Sequence, residues 1–159
     1  MEPRARLAIA LVTDPAATHD AALDLLESED PDVRVAAVYA ASVTARPEDA
    51  EALAPFLVSS DPVERVLAAA GMLAVEDARA VPVLIEALGE DALLPFGAPP
   101  GHVWQAARFA LLQATGQDLG LRDANTAADV AATIPAWEAW WADAEATFEV
   151  VPAPDPLAP

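Results

Sequence analysis

The sequence predicts an all-α fold, a short α-solenoid of about four helical hairpins that ends in a Trp-rich C-terminal capping helix. Apolar residues recur at helical spacing along the chain, and β-branched runs long enough for strands are absent. An Asp-Pro pair opens one helix at Asp30-Pro31 and another at Asp61-Pro62, 31 positions later. A repeat of this length predicts units that bury their apolar faces by stacking on their neighbours.

Length and composition suit one domain, which we place at residues 1–148 of the 159. No apolar run approaches the ~18 residues that cross a bilayer. No cysteine is present, so disulfides and thiolate chemistry are excluded. We interpret the early run LAIALV as a first helix rather than a signal peptide, which favours a cytoplasmic location. The Pro-rich residues 149–159 are predicted to form a disordered tail.

Charge is the most distinctive property of the chain. Eight basic residues, all arginine, oppose 26 carboxylates, for a net charge of −18. Such a field repels nucleic acid and anionic membranes and attracts basic partners. Because the acids are spread along the chain rather than massed in one block, decoration for solubility is the simpler interpretation. Nucleic-acid binding is disfavoured in either case.

The first helix of each repeat has a defined start. Asp30 is placed to N-cap a helix with Pro31 in its first position, and Asp61 and Pro62 repeat this arrangement. Glu64 lies three residues after the second cap, as in a capping box. The predicted buried faces are Val33, Ala37, Ala40 and Ala41 in one helix and Val66, Ala69, Ala70 and Leu73 in the other.

A second helix follows each of these first helices. Residues 48–61 match residues 76–91, and each copy has a proline near its beginning. Pro55 lies deeper than a first turn, so we expect that helix to start late or to bend, whereas Pro82 is tolerated. The matching apolar positions are Leu53, Phe56 and Leu57, and Val81, Leu84 and Ile85. Further helices are predicted at PRARLAIALVTD, at ATHDAALDLLESED, at 103–116 ending with Gly116, and at AADVAA within the connection 121–133.

These segments resemble a known family. DPVERVLAAAGMLA and EDARAVPVLIEALGED are similar to the two helices of a HEAT repeat of the bacterial phycobilin-lyase-like type, in which a DP-x-VR-x-AA helix alternates with an AVP-x-L-x-x-AL helix. The final TGQDLG and IPAWEAWW resemble the end of such domains. The resemblance covers about residues 15–145 and implies a right-handed HEAT solenoid. Its motifs are packing motifs and therefore transfer no catalytic residue.

Two segments depart from plain repeats. Residues 89–102, GEDALLPFGAPPGH, form an apolar, proline-stiffened loop that either has a function or packs Leu94 and Phe96 on the solenoid. In the last helix, Trp137 and Trp141 stand four apart, and Ala144 and Phe148 continue their stripe. This spacing favours a lid over the last core edge rather than a ligand box, with Trp140 least committed to the core.

A search for catalytic chemistry predicts no enzyme, no cofactor and no metal. The two histidines, His19 and His102, stand apart, and the paired His-Glu motifs of HEAT-type metal hydroxylases are missing. We interpret His19, beside Asp20 and Asp24, as solvated, and His102 as equally suited to helix capping or recognition. No nucleophile elbow, phosphate loop or calcium loop is present.

A binding surface is therefore the first hypothesis: a monomeric protein-interaction module whose second helices line an acidic concave groove. The second hypothesis is a sequestering inhibitor or immunity-type protein for a basic partner. The third is a lyase-like or small-molecule-binding role that uses the loop at 93–104. The predicted partner-binding residues are Asp20, Asp24, Glu27, Glu48, Glu51, Arg79, Glu86, Phe96, His102 and Trp104.

Overall fold

The computed structural model describes residues 3–97 and 100–151, and these residues are mainly helical with one small sheet, which confirms the predicted all-α class. Residues 152–159, which make up most of the predicted tail, lie outside the described residues. The α-helices are α1 (Pro3–Thr13), α2 (His19–Asp24), α3 (Pro31–Val43), α4 (Ala50–Leu53), α5 (Pro62–Ala74), α6 (Ala80–Ala87), α7 (Val103–Thr115), α8 (Ala127–Ala131) and α9 (Ile134–Ala144). The strands are β1 (Leu93–Gly97) and β2 (Pro100–His102).

The starts of α3 and α5 are capped as predicted. The Asp30 carboxylate accepts from the backbone N–H groups of residues 32 and 33, at 3.1 and 3.4 Å. Asp61 accepts from Val63 at 2.8 Å. The predicted capping box at Glu64 is wrong, because the backbone N–H of Asp61 already donates to the hydroxyl of Ser59, at 3.1 Å. Glu64 points into the protein instead and is buried.

A proline interrupts the helix that was predicted at residues 48–61. A 3-10 turn at Pro47–Asp49 leads into α4, and a second 3-10 segment, Ala54–Val58, follows it. Pro55 has no backbone N–H to donate and therefore ends the α-helical hydrogen bonding, so the helix continues from Ala54 in 3-10 geometry. Pro82 lies in the first turn of α6, where its missing donor costs nothing, and α6 is continuous.

The helices pack in a serial order. Helix α3 contacts α1 and α5, and α5 contacts α7. Helix α2 packs on α3, α4 and α6 pack on α5, and α9 packs on α6. The predicted core positions Val33, Ala37, Ala40, Ala41, Leu53, Val66, Ala69, Leu73, Val81, Leu84 and Ile85 are all buried, while Ala70, Phe56 and Leu57 are half-buried.

Helices α3 and α5 approach each other closely at Gly71. A Cβ atom at this position would lie 2.7 Å from the Ser42 Cα atom, which is closer than atoms can pack. We therefore expect Gly71→Ala to lower the free energy of unfolding by about 1–3 kcal/mol, although alanine is the better helix former by ~1 kcal/mol. Urea denaturation checks the sign. Gly89→Ala is the control, since its Cβ would meet the flexible Ile134 side chain at 3.3 Å and the Glu86 carbonyl oxygen at an ordinary 3.5 Å. A stabilised Gly71→Ala variant would contradict the packing described here.

The prediction that the chain forms no strands is wrong for residues 93–102, which form an antiparallel hairpin. Leu93 pairs with His102, and Gly97 pairs with Pro100. No β-branched run marks these strands, but the prolines of this segment exclude a helix and leave extended backbone. Leu94 and Phe96 pack against the core, and the Phe96 ring lies 4.5 Å from that of Tyr39 between centroids.

The burial of Trp137 in α9 is as predicted, but the predicted difference between Trp141 and Trp140 is not seen. Trp137 is fully buried, while Trp140 and Trp141 are half-buried. Trp140 meets Trp137 edge to face at 5.5 Å, and Phe148 contacts both Trp140 and Trp141. Phe148 lies beyond the end of α9, so it completes this cluster from the turn that follows rather than from the helix.

Candidate functional site

Two arginines make the same contacts 31 positions apart. Arg34 in α3 donates to the Ser28 carbonyl oxygen at 2.9 Å and to the Glu64 carboxylate at 2.6 Å. Arg65 in α5 donates to the carbonyl oxygen of the residue six positions before it, at 2.7 Å, and to Glu90 at 2.9 Å. Each guanidinium thus joins the turn that precedes its own helix to a carboxylate further along the chain. The sequence carried a signal for these pairs, an arginine four residues after each Asp cap, which the predictions did not use.

His19 is buried between α2, α3 and the turn before α4, so the prediction that it is solvated is wrong. Its Nδ1 atom lies 2.6 Å from the Thr44 hydroxyl, which itself donates to the Ala40 carbonyl oxygen. Its Nε2 atom lies 3.2 Å from the buried Asp49 carboxylate, as a close contact that is not aligned as a hydrogen bond. The sequence could not reveal this contact because Asp49 is 30 positions away, whereas exposed Asp20 is adjacent.

Arg79 joins α4 to the start of α6. Its guanidinium lies 2.7 Å from Glu51 and 2.7 Å from Asp77. The hydrogen bonds from Arg79 hold the pKa of Asp77 below its ordinary value. The bonds to Asp77 and Glu51 raise the pKa of Arg79 above its already high ordinary value. Arg79 therefore remains charged and bridges the two acids.

Acid should weaken the link between Asp77 and Arg79. The folded-state pKa of Asp77 lies below its ordinary value of 3.8, so the pair stabilises the fold above about pH 4 and this stabilisation is lost as the pH falls through the lowered pKa. We expect Asp77→Asn to cost at most ~1 kcal/mol at pH 7, because water screens the half-exposed guanidinium. Urea denaturation at decreasing pH should show this cost shrinking below about pH 4. A cost that is constant with pH would contradict the assignment.

The contacts of His19 and Arg79 bring the N-terminal ends of α2, α4 and α6 together along one side of the protein. Asp20 follows His19, Glu48 precedes Asp49, and Glu51 is bonded to Arg79. We call Asp20, Glu48, Glu51 and Arg79 the acidic edge. Asp20 and Glu48 are exposed, and within the described part of the chain neither carboxylate has an ion pair or a hydrogen bond. These two carboxylates are therefore available to a cation from another molecule.

Three other predicted acids are exposed and lie towards the C-terminal ends of helices α2 and α6. Asp24 is the last residue of α2, Glu27 follows it, and Glu86 lies near the end of α6. These positions are at the C-terminal ends of helices whose N-terminal ends form the acidic edge. The acidic edge therefore contains four of the residues predicted for the groove, and three further predicted carboxylates are exposed beyond it.

In the predicted aromatic site near 93–104, Asp91 contacts two of the three predicted side chains. Trp104 is buried, and its indole N–H donates to the Asp91 carboxylate at 3.1 Å. His102 is half-buried, with Nδ1 2.7 Å from the same carboxylate. Asp91 therefore holds both side chains beside the hairpin, and the third predicted residue, Phe96, lines a groove.

An apolar groove of about 540 Å³ lies between α1, the N-terminal ends of α3 and α5, and strand β1. Its walls include Ile9, Val12, Val35, Leu93 and Phe96. A smaller groove of about 300 Å³ lies between α5 and α7, beside the exposed Phe109. The chain after α9 reaches this smaller groove, where the Val151 backbone N–H donates to the Ala114 carbonyl oxygen at 2.7 Å.

Within residues 3–97 and 100–151, no group of His, Asp and Glu side chains is arranged to hold a metal ion. The helices of the same ranges include none that is long and apolar enough to span a membrane. The fold and the acidic edge define an acidic, mainly helical protein with exposed carboxylates. No protein-family model, curated protein or solved structure matches the chain. The resemblance to HEAT repeats therefore rests on the motifs of the chain itself.

Proposed function

We propose that this protein is a non-enzymatic interaction module that binds a basic segment of a protein partner through the acidic edge. The observation that carries this proposal is the pair of exposed, unpaired carboxylates, Asp20 and Glu48, fixed beside the buried contact of His19 with Asp49. Because the packed framework already holds the backbone at both positions, binding orders only the two side chains, which limits the entropic cost of association.

The distribution of arginines supports the same proposal. Arg34 and Arg65 are engaged with Glu64 and Glu90, and Arg122 lies 3.6 Å from Asp118. These cations are therefore paired within the protein, and Arg79 is paired with Glu51 inside the acidic edge. The negative field at this edge attracts basic partners and accelerates their association.

We further propose that the architecture is a short right-handed HEAT-type solenoid of about four hairpins, with α9 as its terminal cap. Its support is the serial packing of α1, α3, α5 and α7, together with the equivalent contacts of Arg34 and Arg65. In a stack of repeats, equivalent residues make equivalent contacts with the next unit. Such a stack presents the starts of its second helices as one continuous edge, as the proposed interaction requires.

A charge reversal at the acidic edge tests the interaction. A fluorescent nona-arginine peptide serves as a defined basic probe at low salt. We expect Asp20→Lys/Glu48→Lys to weaken its binding about tenfold, because two attractive contacts of up to ~1 kcal/mol each become repulsive. Arg79→Gln should strengthen binding by about twofold to fivefold, since it removes a competing cation.

The control is Glu138→Lys/Asp143→Lys on α9, which changes the net charge equally at two exposed residues. We expect this variant to weaken binding by about twofold at most, through the overall field alone. Equal losses in the two double variants would show that the probe senses net charge and not the acidic edge.

Sequestration of a basic protein is an alternative role for the same surface, favoured by the same unpaired carboxylates. It requires an affinity dominated by charge, so the complex should dissociate between low and physiological salt. A complex isolated at both salt concentrations would instead support recruitment through packed contacts. A small-molecule-binding role is the second alternative, and the groove beside Phe96 favours it.

A further inference from the structure

The apolar groove is separate from the acidic edge. It lies at the N-terminal end of α3, where Asp32 and Val35 line it. The acidic edge lies at the other end of α3, where Thr44 follows the helix and contacts His19. A helix of 13 residues is about 20 Å long. One small molecule therefore cannot contact both places.

The walls of the groove expose large apolar side chains to water. Ile9 is 52% exposed and Leu93 is 58% exposed, and they face the groove from α1 and β1. Exposed apolar side chains that share one concave surface are typical of a binding site rather than of an ordinary surface. The volume of about 540 Å³ also falls within the range of small-molecule sites, about 300–1,000 Å³.

Among the described residues that line the groove, the polar side chains are Thr13, Asp32 and Asp61, and none of these described residues is a cation. The Thr13 hydroxyl donates to the Ile9 carbonyl oxygen at 2.6 Å, and Asp61 caps α5. The Asp32 carboxylate has no bonded partner among the described residues, and it is exposed. The groove thus combines apolar walls with one available negative charge.

We propose that this groove binds a small organic cation with an apolar body, such as an aliphatic or aromatic amine. The ammonium group lies at Asp32, and the apolar body lies between Ile9 and Leu93. A positive charge gains attraction from the carboxylate and keeps contact with water, whereas a negative charge is repelled. The apolar body removes the exposed parts of both walls from water.

Three six-carbon ligands test this proposal: hexylamine, hexanol and hexanoate, with binding followed by the methyl NMR signals of the protein. We expect hexylamine to bind about tenfold more tightly than hexanoate, with hexanol between them. Butylamine should bind about fourfold more weakly for each methylene removed. The shifts should be confined to groove methyls such as Ile9 and Leu93, leaving the exposed Val58 unaffected. Equal binding of all three ligands, or shifts spread over the whole surface, would overturn the proposal.

Two variants test separately the carboxylate that binds the ammonium group and the apolar walls that bind the rest of the ligand. Asp32→Asn should remove the preference for hexylamine over hexanol while leaving hexanol binding unchanged, and Asp143→Asn on α9 is its control. Ala8→Phe should fill the groove and weaken both ligands. An amine preference that survives Asp32→Asn would refute the assigned carboxylate. The Asp20→Lys/Glu48→Lys variant should bind hexylamine as the parent does, so this proposal and the proposed function can fail separately.

Discussion

Replacing Trp137 by alanine is expected to lower the free energy of unfolding by about 3–5 kcal/mol, the largest effect among the substitutions considered. Trp137 is fully buried, and α9 packs on α6. Removing the indole would leave a cavity under α9 and would deprive Trp140 of its edge-to-face contact at 5.5 Å. Urea denaturation followed by circular dichroism measures the loss without depending on the fluorescence of the deleted residue.

Two further variants separate this core role from general aromatic packing. Trp140→Ala should cost about 1–2 kcal/mol, because Trp140 is half-buried and its replacement leaves a smaller cavity. Trp137→Phe should cost less than Trp137→Ala, since it retains a ring and removes an indole N–H that is buried without a partner among the described residues. Equal losses for Trp137→Ala and Trp140→Ala would contradict the assignment of Trp137 to the core.

Features that depend on neighbouring residues were predictable from the sequence. Asp30 and Asp61 cap helices because the groups they bond lie two or three residues away. Helical periodicity also predicted the burial of Leu84 and Trp137. The hairpin at 93–102 was not predicted, because its strands form through pairing with each other and through packing of Phe96 on Tyr39, which is 57 positions earlier. The contact with Tyr39 leaves no local pattern in the sequence.

The candidate site was also predictable only where it depends on neighbouring residues. The exposure of Asp20 and Glu48 follows from their place on the polar faces of helices. Their proximity depends on the contact between His19 and Asp49, residues that a local reading cannot connect. The burial of His19 was missed for this reason. Arg79 was predicted to contact a partner, and the structure shows it bonded to Glu51 within the protein.

A difference in burial explains why two similar ion pairs should differ in energy. Arg34 bonds to Glu64 and Arg65 bonds to Glu90, and the two arginines occupy equivalent positions. The Glu64 side chain is 3% exposed, whereas that of Glu90 is 36% exposed. Water can replace a lost partner at an exposed carboxylate but not at a buried one. Equivalent positions in the repeat therefore do not imply equal contributions to stability.

Glu64→Gln is accordingly expected to lower the free energy of unfolding by about 2–3 kcal/mol. The Glu64 carboxylate accepts from Arg34 at 2.6 Å and from the Ser59 hydroxyl at 2.5 Å. Loss of one partner from a fully buried pair costs about 3–5 kcal/mol, and the Arg34 side chain, at 29% exposure, recovers part of this from water. Urea denaturation at neutral pH measures the loss.

Glu90→Gln is the matched control, with an expected loss of at most ~1 kcal/mol that disappears in about 1 M salt. The Glu64→Gln loss should persist in the same salt, because counter-ions do not reach a buried carboxylate. A double-mutant cycle with Arg34→Gln should give a coupling energy of at least about 1 kcal/mol for the pair of Arg34 and Glu64. If both glutamate variants lost little stability and both losses vanished in salt, the contact between α3 and α5 would depend on apolar packing alone. Burial of Glu64 would then be a consequence of that packing rather than a cause of the fixed spacing between the two helices.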